Sequence, residues 1–208
     1  PLAMLGGKTV IQRVYEQVAE ALNVQCSTSN VQRPPVWVAT DDERIMEAVR
    51  QFGGQAVMTR SDHKSGTDRI EEAAEIINTD ADVIINVQGD EPFIQCSQLQ
   101  TVICLFDDPM TQIATLGKPF ETMEAVANPN SPKIVCDVNG YAMYFSRSVI
   151  PFVRDAHPTP STSEKQQTAG PHPDKEAGDK LPFPYLKHIG LYAYRREVLA
   201  EITKLPQS

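Results

Sequence analysis

Asn86-Val87-Gln88-Gly89-Asp90-Glu91-Pro92 places two carboxylates directly after an apolar run. A carboxylate at the carboxyl end of a strand can hold Mg²⁺ against phosphate oxygens, because hard cations prefer oxygen ligands. Gly89 would let the backbone approach a ligand closely. The same pair also suits a polar turn whose carboxylates cap the next helix. A second block runs from Arg60 through Ser61-Asp62-His63-Lys64-Ser65-Gly66-Thr67-Asp68 to Arg69. Its hydroxyls, glycine and basic groups, set at a helix N-terminus, suit a base edge or an anion, and equally an ordinary capped loop. The third is Tyr185 to Arg195, where alternation puts His188, Gly190 and Tyr192 on one strand face and Ile189, Leu191 and Ala193 on the other. A polar, aromatic face beside Lys187 can hold an acidic sugar, and a lone strand histidine can also be satisfied by a neighbouring carbonyl.

These blocks need elements to position them. Val36 to Thr40 is a β-branched run that reads as a buried strand, and Asp41 and Asp42 suit the cap of the helix that follows. Ile45, Val49 and Phe52 recur at helical spacing before Gly53-Gly54. Ala56 to Thr59 reads as a strand, Ile70 to Ile77 as an amphipathic helix, Asp82 to Val87 as a strand and Leu99 to Phe106 as a helix. That alternation predicts an α/β fold with a mostly parallel sheet and helices on both faces. Val10, Ile11, Val14, Val18 and Leu22 predict a first helix with no strand before it. Lys133–Asp137 and Tyr141–Phe145 flank Val138-Asn139-Gly140, a strong hairpin signal. The proline-rich polar stretch from Asp155 to Pro184 reads as a long mobile loop within a single domain, 1–208. Lys187 to Tyr194 then reads as a strand and Glu197 to Leu205 as a helix.

Composition narrows the partners. A formal net charge of −8 argues against nucleic acid, yet allows a nucleotide site built from a local cluster of positive groups. No apolar run approaches the roughly 18 residues of a membrane span, and the four cysteines, Cys26, Cys96, Cys104 and Cys136, make no CxxC pair. The expected compartment is the cytoplasm.

In this order the blocks resemble the CMP-Kdo synthetases, cytidylyltransferases that activate 3-deoxy-D-manno-octulosonate (Kdo). The matching residues are Val38-Ala39-Thr40-Asp41, Met58 through Arg69, Asn86 through Pro92, Asn128-Pro129-Asn130, Gly140 through Arg147 with Ile150-Pro151, and His188 through Arg195. The resemblance implies a Rossmann-like nucleotidyltransferase fold with a β-hairpin dimerisation region. It implies attack by the anomeric hydroxyl of Kdo on the α-phosphorus of CTP with release of pyrophosphate, giving CMP-Kdo for lipopolysaccharide synthesis. Asp90 would be the catalytic Mg²⁺ ligand and Gln88 would orient the sugar. Arg147, His188 and Tyr192 would surround the sugar's carboxylate and hydroxyls. His63, Ser65, Gly66, Thr67 and Arg69 would line the nucleotide side. A homodimer is expected. The family also carries a phosphate-gripping loop before the position of Pro1 and a second metal-binding aspartate after Pro206, so the resemblance implies a member trimmed at both ends that binds CTP weakly and does not turn it over, whereas a form extended at both ends does. The alternatives are a sialic-acid-type cytidylyltransferase and a non-catalytic binding or dimerisation fragment.

Overall fold

The computed structural model describes residues 1–26, 35–154 and 181–206. The chain forms two compact units, Pro1–Leu116 with Gly190–Ser208, and Gly117–Ile189.

The first unit opens with β1 (Met4–Leu5) and β2 (Lys8–Thr9), which pair antiparallel. This corrects the expectation that no strand precedes the first helix. Gly6 and Gly7 take φ of 57° and 81°, a left-handed reversal that side-chain-bearing residues resist. Helix α1 (Val10–Cys26) follows, burying the expected stripe of Ile11, Val14, Val18 and Leu22. Strands β3 (Trp37–Thr40) and β4 (Gln55–Met58) pair in parallel, with Thr40 opposite Met58. Between them lies α2 (Glu43–Gln51), which buries Val49. Gly53, at φ 80°, turns the chain out of the helix.

Asp42 caps α2, its Oδ1 accepting the Arg44 N–H at 2.8 Å. Hydrogen bonds from the Arg44 side chain, then from its backbone N–H, hold the Asp42 carboxyl at about 2. A pKa lowered in the fold contributes stability that is complete above the unfolded value near ~3.9 and is lost as pH falls through about 2. Carboxyl-carbon NMR titration should therefore find Asp42 charged at pH 3; a midpoint near 4 would contradict this cap.

Helix α3 (Gly66–Ile76), strand β5 (Val83–Asn86) and helix α4 (Cys96–Cys104) continue the alternation, α4 running into a short 3₁₀ turn at Leu105–Asp107. Strand β6 (Ile113–Pro119) and helix α5 (Met123–Ala127) were not read from the sequence. The hairpin forms as expected from β7 (Lys133–Cys136) and β8 (Ala142–Ser146), with Gly140 at φ 87°. Strand β9 (Leu186–Arg195) precedes α6 (Arg196–Ile202).

Parallel pairing is rarer than the alternation implied. In the first unit β9 pairs antiparallel with β5, from Val83↔Arg195 to Asn86↔Tyr192. In the second it pairs antiparallel with β7, Lys133 opposite Lys187. The α/β class holds, but the hairpin returns the chain to β9 in the opposite sense, which a reading of helices and strands alone does not reveal.

Each unit has its own core. In the first, Val49, Leu99, Val102, Leu191, Ala193 and Leu199 are all within 2 % of complete burial. In the second, Phe120, Val126 and Tyr185 form a cluster against which Met123, Val149, Leu181 and Phe183 pack. The expected loop Asp155–Pro184 lies mostly outside the described residues. Its described end departs from the reading, because Leu181 and Phe183 pack on that core.

Candidate functional site

In the first unit, the carboxyl end of β5 and the N-terminus of α3 come together. Asn86, buried at the end of β5, sits where a Cβ on Gly66 would lie 3.9 Å from its Nδ2. Beyond it the chain turns, the Glu91 N–H donating to the Gln88 carbonyl at 3.2 Å, and Gln88 and Asp90 are exposed. The close approach at Gly89 is to the protein itself, since a Cβ there would meet Ile11 Cδ1 at 3.2 Å. Gln88 reaches β9, its Cγ 3.9 Å from where a Cβ on Gly190 would be.

Tyr192 lies opposite Asn86 in this pairing and stacks on Tyr194, with centroids 5.9 Å apart and an interplanar angle of 15°. Tyr192 hydrogen-bonds Thr115, and Tyr194 hydrogen-bonds Thr67 at the first turn of α3. Burial raises both phenol pKa values, so both keep their protons as donors. Gln88, Asp90, Gly66, Thr67 and Tyr192 thus belong to one connected neighbourhood. Asn86 and Tyr194 belong to it too and were not singled out from sequence. The signal for Tyr194 was available, because it stands two residues beyond Tyr192 on the same strand face.

The rest of the second block is more heavily engaged in holding the fold. Ser65 is the N-cap of α3, accepting the Asp68 N–H at 3.1 Å while its hydroxyl donates to Asp68 Oδ2 at 2.7 Å. The buried His63 ring pairs through Nε2 with Glu72 Oε2, and the Arg60 N–H donates to the same oxygen at 2.9 Å. The His63 bond, then the Arg60 N–H, pulls the Glu72 carboxyl below its ordinary range. Arg69 donates through Nη1 to Thr59 Oγ1 at 2.7 Å and through Nη2 to Asp41 Oδ2 at 3.1 Å. It thereby ties together the chain just past β3 and just past β4. Asp42 alone caps α2, so Asp41, read as a second capping candidate, serves this tie instead.

Arg69→Met should release Thr59 and Asp41 and destabilise the first unit by about 1–3 kcal/mol, the usual worth of hydrogen bonds to a charged group. Chemical denaturation would check it. An unchanged midpoint would leave Arg69 free to serve a ligand alone.

Among the described residues no group of three or more acidic, histidine or cysteine side chains is placed to hold a metal. The single exposed carboxylate of Asp90 still fits Mg²⁺, which commonly takes one or two carboxylates and completes its shell with water and substrate phosphates.

The second unit holds Arg147 and His188, the other two residues expected on the sugar side. Arg147, just past β8, is exposed and donates through Nη1 to the Pro129 carbonyl at 3.0 Å. His188 on β9 donates its backbone N–H to the Pro132 carbonyl at 2.9 Å, and its ring meets Phe145 edge-on at 5.1 Å. Burial lowers the His188 pKa, favouring a neutral imidazole.

The whole chain, residues 1–208, matches the protein family described as Cytidylyltransferase. It is 56 % identical over 211 residues to a 3-deoxy-manno-octulosonate cytidylyltransferase of Bacteroides thetaiotaomicron, covering all of this chain and 73 % of that protein. It is 41 % identical over 209 residues to one of Escherichia coli, covering all of this chain and 70 % of that one. Among solved structures it is similar to a CMP:2-keto-3-deoxy-manno-octonic acid synthetase complexed with CTP, at a TM-score of 0.76 and 40 % identity, over all of this chain and 72 % of that one. A 4-diphosphocytidyl-2C-methyl-D-erythritol synthase from Anaerococcus prevotii shares the fold alone, at a TM-score of 0.53 and 10 % identity, over 99 % of this chain and 72 % of that one.

Proposed function

This chain belongs to the cytidylyltransferase family, and from that premise we propose that it transfers CMP from CTP to the anomeric hydroxyl of Kdo, releasing pyrophosphate and CMP-Kdo. The observation that carries this reading is the match over residues 1–208 to proteins of that activity. The neighbourhood of Asp90, Gln88 and Gly66 at the carboxyl end of β5 supports it, because open α/β sheets bind their ligands there.

Little covalent work falls to the protein in such a transfer, so positioning and charge neutralisation must supply the rate. In the first unit, Asp90 is the ligand for a divalent ion, which we take to be Mg²⁺. When bound, that ion would offset the negative charge of the phosphate oxygens. Gly66 and Thr67 are assigned to the nucleotide side, with His63, Ser65 and Arg69 shaping the same loop. Gln88 and Tyr192 supply an amide and a phenol for sugar hydroxyls. In the second unit, Arg147 and His188 are assigned to the sugar's carboxylate side, the guanidinium as cation and the neutral imidazole as hydrogen-bonding partner.

Two further readings accompany this one. Tyr141, Met143 and Tyr144 on the hairpin are 57–68 % exposed, which supports a homodimer formed through this half of the chain. Among the described residues no helix is long and apolar enough to cross a membrane, and a cytoplasmic site of action is consistent with substrates such as CTP.

The deciding measurement is pyrophosphate release from CTP with and without Kdo, made on the full-length gene product. Release that requires Kdo supports the proposal. Release with sialic acid but not with Kdo, or with neither sugar, would overturn it.

A further inference from the structure

Lys133 is the most deeply buried charged residue described, with 0 % of its surface exposed. Its ammonium donates to the Asn128 carbonyl at 2.9 Å and to the Arg147 carbonyl at 2.8 Å. Among the described residues neither Lys133 nor Arg147 forms an ion pair with an acidic side chain. A buried, uncompensated ammonium is costly to fold around, and an apolar residue of similar length would fill the space without that cost. Burial, and secondarily the nearby Arg147 charge, lowers the Lys133 pKa, as expected for a cation placed without an acidic counterpart.

The hydrogen bonds form a reciprocal tie. Lys133 at the start of β7 holds the backbone of Arg147, and Arg147 in turn donates through Nη1 to Pro129, the residue after Asn128, at 3.0 Å. Two cations and two carbonyls of the Asn128-Pro129 turn therefore fix one another, all within the second unit. Arg147 keeps its exposed side chain and the remaining donors of its guanidinium.

We propose that Lys133 is a positioning residue for the acidic sugar: its ammonium locks the Asn128–Pro129 turn against Arg147 so that the Arg147 guanidinium is held ready for the sugar's carboxylate. This rests on the assignment of Arg147 to that carboxylate. Preorganisation of the cation lowers the ordering cost of binding, so losing it should appear in the KM for sugar and not in the KM for CTP.

A double-mutant cycle on the enzyme, with KM for Kdo and for CTP read separately, tests it. Arg147→Met alone tests the underlying assignment, and an unchanged KM for Kdo would remove Arg147 from the site whatever Lys133 does. With Arg147 present, Lys133→Met should raise the KM for Kdo by about tenfold, within the range of coupled neighbours, and leave the KM for CTP unchanged. In the Arg147→Met background the same substitution should change the KM for Kdo by less than about twofold. A full effect in both backgrounds, or equal losses for both substrates, would make Lys133 a structural residue and overturn the proposal. Should Lys133→Met not fold, Lys133→Gln takes its place with the same expected pattern, because its shorter, uncharged amide weakens the two-carbonyl tie while still offering the buried carbonyls a donor. Failure of both variants to fold would likewise assign Lys133 to the core and overturn the positioning role.

Discussion

Asp90→Asn should lower turnover by about 10²–10³-fold, the scale of losing one preorganised electrostatic group at a reacting phosphate, while leaving the melting temperature unchanged. Asp90 is exposed in the turn after β5, and among the described residues no side chain hydrogen-bonds its carboxylate. The substitution is nearly isosteric, so little of the fold depends on the lost charge. What it removes is an anionic oxygen ligand, which an amide oxygen replaces poorly around a hard cation. The effect should fall mainly on kcat, because charge on the phosphates grows as pyrophosphate departs. Steady-state rates at saturating CTP, Kdo and Mg²⁺ would check this. Near wild-type turnover under those conditions would take Asp90 out of the metal site.

Asp90 also illustrates what local patterning can reveal. It follows a short continuous apolar run bounded by polar and turn residues, which reads as a strand over Asp82 to Val87, and the strand forms over Val83–Asn86. Helices α1 and α2, the parallel β3–β4 pair and the β7–β8 hairpin follow from patterns of the same short range. The antiparallel placement of β9 against β5 does not, because strand direction depends on a return path through a hundred residues and not on the strand's own sequence. Strand β6 went unread because Ile113 to Pro119 mixes glycine, lysine and proline into a run whose strand character comes from its neighbours.

The site divides in the same way. Residue types marked Ser65 and Arg69 as polar groups near a helix start, but only the fold shows Ser65 spent on the cap and Arg69 on Asp41 and Thr59. Asn86 and Tyr194 carry the reverse case. Asn86 becomes informative only when it is found beside Gly66, whereas Tyr194 shares the strand face of Tyr192 and gains from the fold its bond to Thr67. Lys133 gave no signal at all, since a lysine opening a strand ordinarily points to solvent.

Tyr185→Ala should cost the second unit about 3–5 kcal/mol, the range for deleting a fully buried aromatic side chain. Tyr185 is 1 % exposed and packs with Phe120 and Val126, and its ring meets Phe183 edge-on at 5.3 Å. Its hydroxyl donates to the Pro151 carbonyl at 3.1 Å, and its own carbonyl accepts the Phe120 N–H at 2.9 Å. The substitution therefore leaves a cavity and an unpaired carbonyl at Pro151, while the backbone bond to Phe120 needs no side chain. Tyr185→Phe separates the two effects, because it keeps the packing and loses only the hydroxyl, for about 1 kcal/mol. In thermal unfolding the alanine variant should melt roughly 6–20 °C lower and the phenylalanine variant roughly 2–4 °C lower. Because β9 begins at the next residue and carries His188, the alanine variant should also lose affinity for Kdo at temperatures where CTP binding persists. Equal shifts for the two variants would assign the stabilisation to the hydroxyl and not to packing, and a drop below about 3 °C for alanine would show that this core tolerates the void.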